Sequence, residues 1–178
     1  IDLAAASDEQ LAQLQRHPSR WHAQQARLLL AERASSRSIG SAAIHQLQDQ
    51  LTTADQLADN TGLSPSALRV RAVLSLHLCG GLSQDALLDL TTSPDEHVRT
   101  WAVRLLTETW PLDAALGPAA LESDTASRVS REAAAMLPSL CGLAATDPSG
   151  LVRLAVASTL QRLPLALRPP LAAALVAR

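Results

Sequence analysis

Apolar residues recur along the chain at helical spacing, and one short pattern appears five times. An anchor residue is followed by a small residue four positions later and by leucine eight positions later, as in Val98, Ala102 and Leu106. These positions lie along one face of an α-helix, so each copy predicts a helix with a buried stripe. The anchors of the other four copies are His22, Leu68, Val129 and Val152. The copy that begins at His22 is the first along the chain and the weakest match.

Signals for the start of a helix stand just before these copies. Proline follows a polar residue at four of them and serine alone marks the fifth: His17-Pro18, Ser64-Pro65, Ser93-Pro94, Asp147-Pro148 and Ser123. A cap side chain accepts an otherwise unpaired backbone N–H group, and proline fits the first turn of a helix. Further apolar-periodic segments predict the intervening helices at 8–16, 39–51, 83–91, 112–121, 139–145 and 168–176. Residues 52–64 are predicted to form a long loop.

The segments predict an all-α protein of about eleven helices, arranged as about five antiparallel pairs and one unpaired last helix. A pair of about 30 residues cannot bury both of its faces, so neighbouring pairs must stack to share a core. We therefore expect a right-handed α-solenoid that occupies residues 1–178 as a single domain. A globular helix bundle is the alternative arrangement.

The composition agrees with helices and restricts the function. The chain has 33 alanines and 34 leucines but no Phe, Tyr or Lys, which argues against a β-sandwich or barrel. A formal net charge of −2 argues against a general nucleic-acid binder. No apolar run of about 18 residues is present, so no membrane insertion is predicted. Because the sequence begins at Ile1 without methionine, we expect a segment of a longer multidomain chain.

The copy at 93–106, Ser-Pro-Asp-Glu-His-Val-Arg-Thr-Trp-Ala-Val-Arg-Leu-Leu, resembles the second helix of a HEAT repeat. The resemblance implies about five HEAT-like helix pairs whose second helices line a concave face. In HEAT repeats the arginine after the anchor often bonds an aspartate of the turn within the repeat, which forms a ladder along the stack. The pairs expected to do this here are Asp95 with Arg99 and Asp147 with Arg153.

A narrower resemblance covers roughly residues 8–165. The runs His17-Pro18-Ser19-Arg20-Trp21 and 72–82 are similar to the first two repeats of planctomycete-type large membrane-bound dehydrogenases. The sequence departs from that pattern at Leu74, where the family has tryptophan, and at His22-Ala23. In that family the HEAT segment lies between a β-propeller and a c-type cytochrome. The resemblance implies a periplasmic or cell-envelope location and haem c in the parent chain, with no cofactor in this segment.

No catalytic, cofactor-binding or metal-binding residue is predicted, because the chain has no CxxCH, HExxH or serine-nucleophile motif. Trp and Arg are frequent anchors of protein interfaces. The candidate interaction surface therefore consists of the second-helix residues Arg71, Arg99, Trp101, Arg104, Arg131 and Arg153. The alternative is that these arginines are solvated or belong to the ladder. Trp21 and Trp101 are expected to pack between repeats, with an exposed ring on the inner face as the alternative.

Cys79 and Cys141 lie in apolar runs without a CxxC context. Cysteine is among the most buried residue types, so we expect two buried free thiols, with a disulfide as the alternative.

These observations favour a non-catalytic interaction and spacing module of a larger dehydrogenase-like haem protein, with a protein or a neighbouring domain as its partner. A HEAT-like DNA glycosylase is an alternative, because Trp101, Arg104 and Asp95 superficially suit its active face. The net charge of −2 and the absence of lysine argue against it and against nucleic acid as a partner. A HEAT-type bilin lyase and a generic protein-interaction scaffold are the remaining alternatives.

Overall fold

The computed structural model describes residues 2–113, 117 and 123–177, and this part of the chain is all-α, as predicted. The described residues form ten α-helices and no β-strand. The chain divides into two compact units of similar size, Ile1–Leu87 and Leu88–Arg178. Helix α6, Gln84–Leu90, contains the boundary. No helix of the described residues is both long and apolar enough to cross a membrane.

The first unit contains five helices ahead of α6. They are α1 (Asp8–Gln13), α2 (Arg20–Ser36), α3 (Ser41–Thr52), α4 (Ala54–Thr61) and α5 (Pro65–Leu78). A single 3-10 turn continues α1 to residue 16. Helix α1 packs against α2 and α3, and α5 packs against α2, α3 and α4. The pair α1/α2 therefore stacks on the pair α3/α5. The first helices of the two pairs, α1 and α3, contact each other, and so do the second helices, α2 and α5.

Leucine and alanine make up most of the centre of the first unit, with Ile39 as the other buried member of the cluster. Leu11, Leu30, Leu47 and Leu76 are completely buried, and Ala26 lies among them. Full burial of one leucine contributes roughly 1.5–3 kcal/mol, and alanine lets the helix axes approach closely. The missing Phe and Tyr side chains are thus replaced by close helix contacts rather than by large rings.

A buried carboxylate fixes the ends of three helices in the first unit. Asp8 begins α1, and it accepts hydrogen bonds from Arg37 at 2.7 and 2.8 Å, from Arg33 at 2.9 Å and from the Gly40 backbone N–H at 3.3 Å. The Arg37 hydrogen bond is the main reason that the pKa of Asp8 lies well below its usual range, despite the opposing effect of burial. The ionised carboxylate joins the start of α1 to the end of α2.

The second unit contains four helices beyond α6. They are α7 (Glu96–Thr107), α8 (Ser123–Thr146), α9 (Gly150–Ser158) and α10 (Arg168–Val176). Helix α9 packs against α7 and α8, and α10 packs mainly against α8. Four of the five predicted anchors are buried: Leu68, Val98 and Val152 are 0% exposed and Val129 is 1% exposed. The anchor of the first copy, His22, is only partly buried.

The last helices differ from the predicted order. The segment 139–145 was expected to be a separate helix, but α8 runs continuously through Pro138. Buried Met136 and Leu140 lie on either side of the proline and keep both halves on one core face. The face is therefore shifted by one residue from the predicted Leu137, which is only partly buried. Because α8 packs on α9, these two helices form one pair where the sequence pattern predicted two.

Two further predictions concern the connecting segments. The loop predicted at 52–64 is wrong, because α4 occupies most of it. Ala54, Leu57 and Ala58 share one helical face, and Gly62 ends the helix with a φ of 68°, a conformation that favours glycine. The helix predicted at 112–121 lies outside the described residues except for 112, 113 and 117.

Candidate interaction surface

A cleft of ≈ 330 Å³ lies between α7 and the end of α9 in the second unit. Its lining includes two of the predicted interaction residues, Trp101 and Arg104, and the apolar side chains of Leu105, Leu112 and Ala155. Leu112 is 51% exposed, so the cleft has an apolar side chain open to solvent at its edge. The rest of the lining is polar or charged, so the cleft offers a partner apolar contacts beside hydrogen-bonding groups: Thr107, Glu108, Ser158, Gln161 and Arg162.

Trp101 and Arg104 stand three residues apart on α7 and meet on one face of the helix. The guanidinium carbon of Arg104 lies 5.2 Å from the centroid of the Trp101 ring, which is cation–π distance. Trp101 is partly buried, whereas Arg104 is exposed. The ring therefore orients a charged donor group that remains available to a partner.

Arg162 forms the opposite wall and is held in place by the backbone. Its guanidinium donates to the carbonyl oxygen of Trp110 at 2.6 Å and to that of Glu108 at 3.2 Å. Trp110 is only 2% exposed, so this anchoring point is itself fixed by packing. Arg162 is not among the residues predicted for this surface, because its place in the cleft depends on contacts with residues more than fifty positions away along the chain.

Arg99 and Arg153 of the predicted surface are bound to one turn. Arg99 donates to both carboxylate oxygens of Asp147, at 2.7 and 2.9 Å, and to the carbonyl oxygen of Ser93 at 2.8 Å. Arg153 donates to the carbonyl oxygen of Asp147 at 2.7 Å. The carboxylate of Asp95 instead caps α7 by accepting the backbone N–H of His97 at 2.9 Å. Arg99 therefore pairs with the aspartate before α9, a contact that the predicted pairs did not include, and the ladder along the stack stays a prediction.

The remaining predicted arginines have different surroundings. Arg131 is exposed on α8 and donates to the carbonyl oxygen of Ser127, one turn earlier, at 3.4 Å. Arg71 belongs to the first unit, where it donates to the carbonyl oxygens of Gln15 and His17 at 3.1 and 2.7 Å. The structure therefore places Trp101 and Arg104 side by side, whereas a stripe that includes all six residues stays a prediction.

The expectation that Trp21 packs between repeats is wrong. Its side chain is 60% exposed, and its ring makes an edge-to-face contact with the ring of His22, with centroids 5.0 Å apart. The buried face of α2 is formed by Ala23, Ala26 and Leu30, and the tryptophan lies off this face. Trp110 is the enclosed tryptophan of the described residues.

Both cysteines are free, and both are partly rather than fully buried. Burial raises the pKa of the Cys79 thiol to about 11, and the negative charge of Asp8 adds to the rise. The described residues contain no cluster of three or more His, Cys, Asp or Glu side chains that could hold a metal ion. Cys79 lines an open cleft of ≈ 530 Å³, so a small reagent can reach it.

We expect Cys79 to be a slow nucleophile. In a Cys141→Ser variant at pH 8, alkylation by iodoacetamide should be at least about tenfold slower in the folded protein than in urea, because only the thiolate reacts. The rate of the folded protein should keep rising up to about pH 10. A folded-state rate equal to that in urea, or one that levels off near pH 9, would show that the thiol is not perturbed.

The chain matches no family model, no curated protein and no solved structure. The functional assignment therefore depends on the side chains of the cleft and of the helix faces around it.

Proposed function

We propose that the chain is a non-catalytic protein-interaction and spacing module, built from stacked helix pairs of the HEAT-like α-solenoid type. The pairwise packing of α1/α2 on α3/α5 supports this proposal, as do the contacts of α9 with α7 and α8. The buried small residue four positions after each anchor, such as Ala102, is the sequence counterpart of that packing. Repeat modules of this type present extended surfaces to partners rather than enclosed active sites.

The parent protein belongs to the same proposal but rests on sequence resemblance. It would be a membrane-bound or periplasmic dehydrogenase-like haem protein in which the haem c and the redox chemistry lie in other domains. This half of the proposal requires β-propeller blades and a CxxCH motif to be encoded on either side of the segment. If both are missing, the interaction module remains and the dehydrogenase parent is excluded.

The observation that carries the interaction function is the Trp101–Arg104 cleft. A partner can place an apolar side chain against Trp101 and Leu112 and an acceptor oxygen against Arg104 or Arg162. The Trp101 ring and the Arg104 guanidinium lose little side-chain freedom on binding, because their cation–π contact already restricts both side chains. Aromatic and arginine anchors of this kind commonly dominate interface energies.

The DNA glycosylase alternative has less support from the geometry. It would use Asp95 as a catalytic acid or base, and this carboxylate caps α7 through the backbone N–H groups of His97 and Val98. The formal net charge of −2 also disfavours a phosphate-dependent partner.

The cleft is tested by selecting a random twelve-residue peptide display library on the wild-type protein. Synthetic peptides from that selection should lose at least about tenfold in affinity with Trp101→Ala and with Arg104→Ala, measured by calorimetry. Arg128→Ala is the matched control, because Arg128 is exposed on α8 and, among the residues that the structure describes, pairs with Glu132 in the next turn. Equal affinities for all three variants, or no enriched peptide at all, would contradict the assignment of the cleft.

A further inference from the structure

Three arginines gather in the first unit without a counter-charge. Arg20 and Arg27 are seven residues apart on α2, which is two helical turns, so they lie on the same face. Arg71 comes from α5, which packs against α2. Its guanidinium is held by the carbonyl oxygens of Gln15 and His17, directly before the start of α2. Arg20, Arg27 and Arg71 together are called the arginine cluster.

The two helices that carry the cluster supply no acid beside it. Helix α5 contains no Asp or Glu, and the first turn of α2 contains none either. Glu32 is the one acidic residue of α2, and it is rotated by about 140° around the helix from Arg27. Among the described residues, neither Arg20 nor Arg27 has a hydrogen bond or ion pair to a carboxylate.

Arg27 is the unusual member of the cluster, because it is partly buried. Burial lowers the pKa of Arg27, and the positive charge of Arg20 lowers it further. Burial also lowers the pKa of Arg71, and the positive charges of Arg27 and Arg20 lower it further. Charged groups removed from water are normally paired, so this arrangement costs stability in the free protein.

An aromatic surface adjoins the cluster. Trp21 follows Arg20 on α2 and is 60% exposed. Its ring meets His22 edge to face, and His22 lies 4.6 Å from the ring of His17, measured between centroids. An exposed indole beside unpaired guanidinium groups combines the two side-chain types that are enriched at interface anchors.

We propose that the arginine cluster, together with Trp21, binds an acidic segment of a partner protein. Two or more carboxylates of that segment would pair with Arg20, Arg27 and Arg71, and an apolar side chain would cover Trp21. A protein segment suits this surface better than nucleic acid, because the whole chain carries a net charge of −2 and has no lysine to extend the positive surface. The surface belongs to the first unit and does not depend on the Trp101–Arg104 cleft of the second.

The substitution Arg27→Gln is expected to affect the stability of the protein and its affinity for an acidic segment in opposite directions. Arg27→Gln removes repulsion within the cluster, so the melting temperature should stay equal or rise. The same substitution removes a donor and a charge, so the affinity for an acidic segment should fall about tenfold. A purely structural arginine would behave differently, because its replacement would lower the melting temperature and would not alter peptide binding.

The test uses calorimetry with three probes on the full chain. The first is the synthetic octapeptide Glu-Glu-Asp-Leu-Phe-Glu-Asp-Glu, the second is its counterpart with Gln and Asn for the acids, and the third is an eight-nucleotide single-stranded DNA. We expect the acidic peptide alone to bind, and binding to weaken about tenfold between 50 and 300 mM salt. Arg27→Gln should lose this binding, and the matched control Arg128→Gln on α8 should keep it.

Three results would overturn the proposal. The first is equal binding of the acidic and amide peptides, which would mean that charge is not recognised. The second is DNA binding tighter than peptide binding, which would identify a nucleic-acid surface. The third is unchanged binding of the acidic peptide by both Arg27→Gln and Arg71→Gln, which would place the contact elsewhere.

Discussion

Replacing Val98 by aspartate is expected to unfold α7 and the helix packed against it. Val98 is 0% exposed at the start of the buried stripe of α7, and α7 packs on α9 in the second unit. The substitution removes apolar contacts and places a carboxylate at a position that is closed to solvent. A cost of more than about 4 kcal/mol follows, which is comparable to the whole stability of a small domain.

The measurement is the free energy of unfolding from urea titration, followed by far-ultraviolet circular dichroism. His97→Asp is the matched control, because it puts the same charge one residue earlier at an exposed position in the first turn of α7. There the helix dipole favours a negative charge, so the control should be neutral or slightly stabilising. An unchanged unfolding midpoint for the Val98 variant would mean that the face assigned to the core is wrong.

Asp147→Asn is expected to have the second largest effect. The Asp147 side chain is 4% exposed and its partner Arg99 is 11% exposed, so asparagine would leave an enclosed cation without the carboxylate that accepts two of its hydrogen bonds. Removing one member of such a buried pair costs about 3–5 kcal/mol. Glu132→Gln is the comparison, because its pair with Arg128 on α8 is exposed and should change stability by less than about 0.5 kcal/mol.

The same network gives a pH dependence. Burial alone would raise the pKa of Asp147, but hydrogen bonds from Arg99 and from the Ser149 backbone N–H, with the charges of Arg99 and Arg153, lower it overall. A carboxyl whose folded-state pKa is lowered stabilises the fold above its unfolded pKa of about 3.9 and loses that contribution as the pH falls. Wild-type stability should therefore fall below about pH 5, and the Asp147→Asn variant should lose part of this slope. Parallel pH profiles for the two proteins would show that the ion pair does not contribute.

The parts of the fold that depend on local patterns could be predicted from the sequence. Ser64, Ser93-Pro94 and Ser123 mark real helix starts to within a few residues, because caps and proline act on the neighbouring backbone. The buried anchors follow from helical periodicity alone. The sequence pattern did not predict α4, because the apolar face of this helix has only three residues. The turn-forming residues around Gly62 also dominate the segment.

The contacts that shape the candidate surfaces are not local, and the sequence could not reveal them. Arg99 meets Asp147 across 48 positions, and Arg162 meets the Trp110 carbonyl across 52. The same sequence pattern allows several such long-range contacts, and only the packing of the helices decides which of them form. The Trp101–Arg104 contact was accessible to prediction, because a spacing of three residues on a helix brings the side chains together.

The tryptophans have a consequence for spectroscopy. With no tyrosine or phenylalanine in the chain, near-ultraviolet absorption and intrinsic fluorescence arise from three indoles. Trp21 is open to solvent in the first unit, whereas Trp110 is 2% exposed in the second. Iodide quenches solvent-facing indoles and spares enclosed ones, and an enclosed indole emits at shorter wavelength. Trp101 is partly buried in the second unit and would contribute to both components. In a Trp101→Ala variant, emission can therefore be divided into a quenchable red component from Trp21 and a protected blue one from Trp110, which provides each unit with its own optical reporter without any added label.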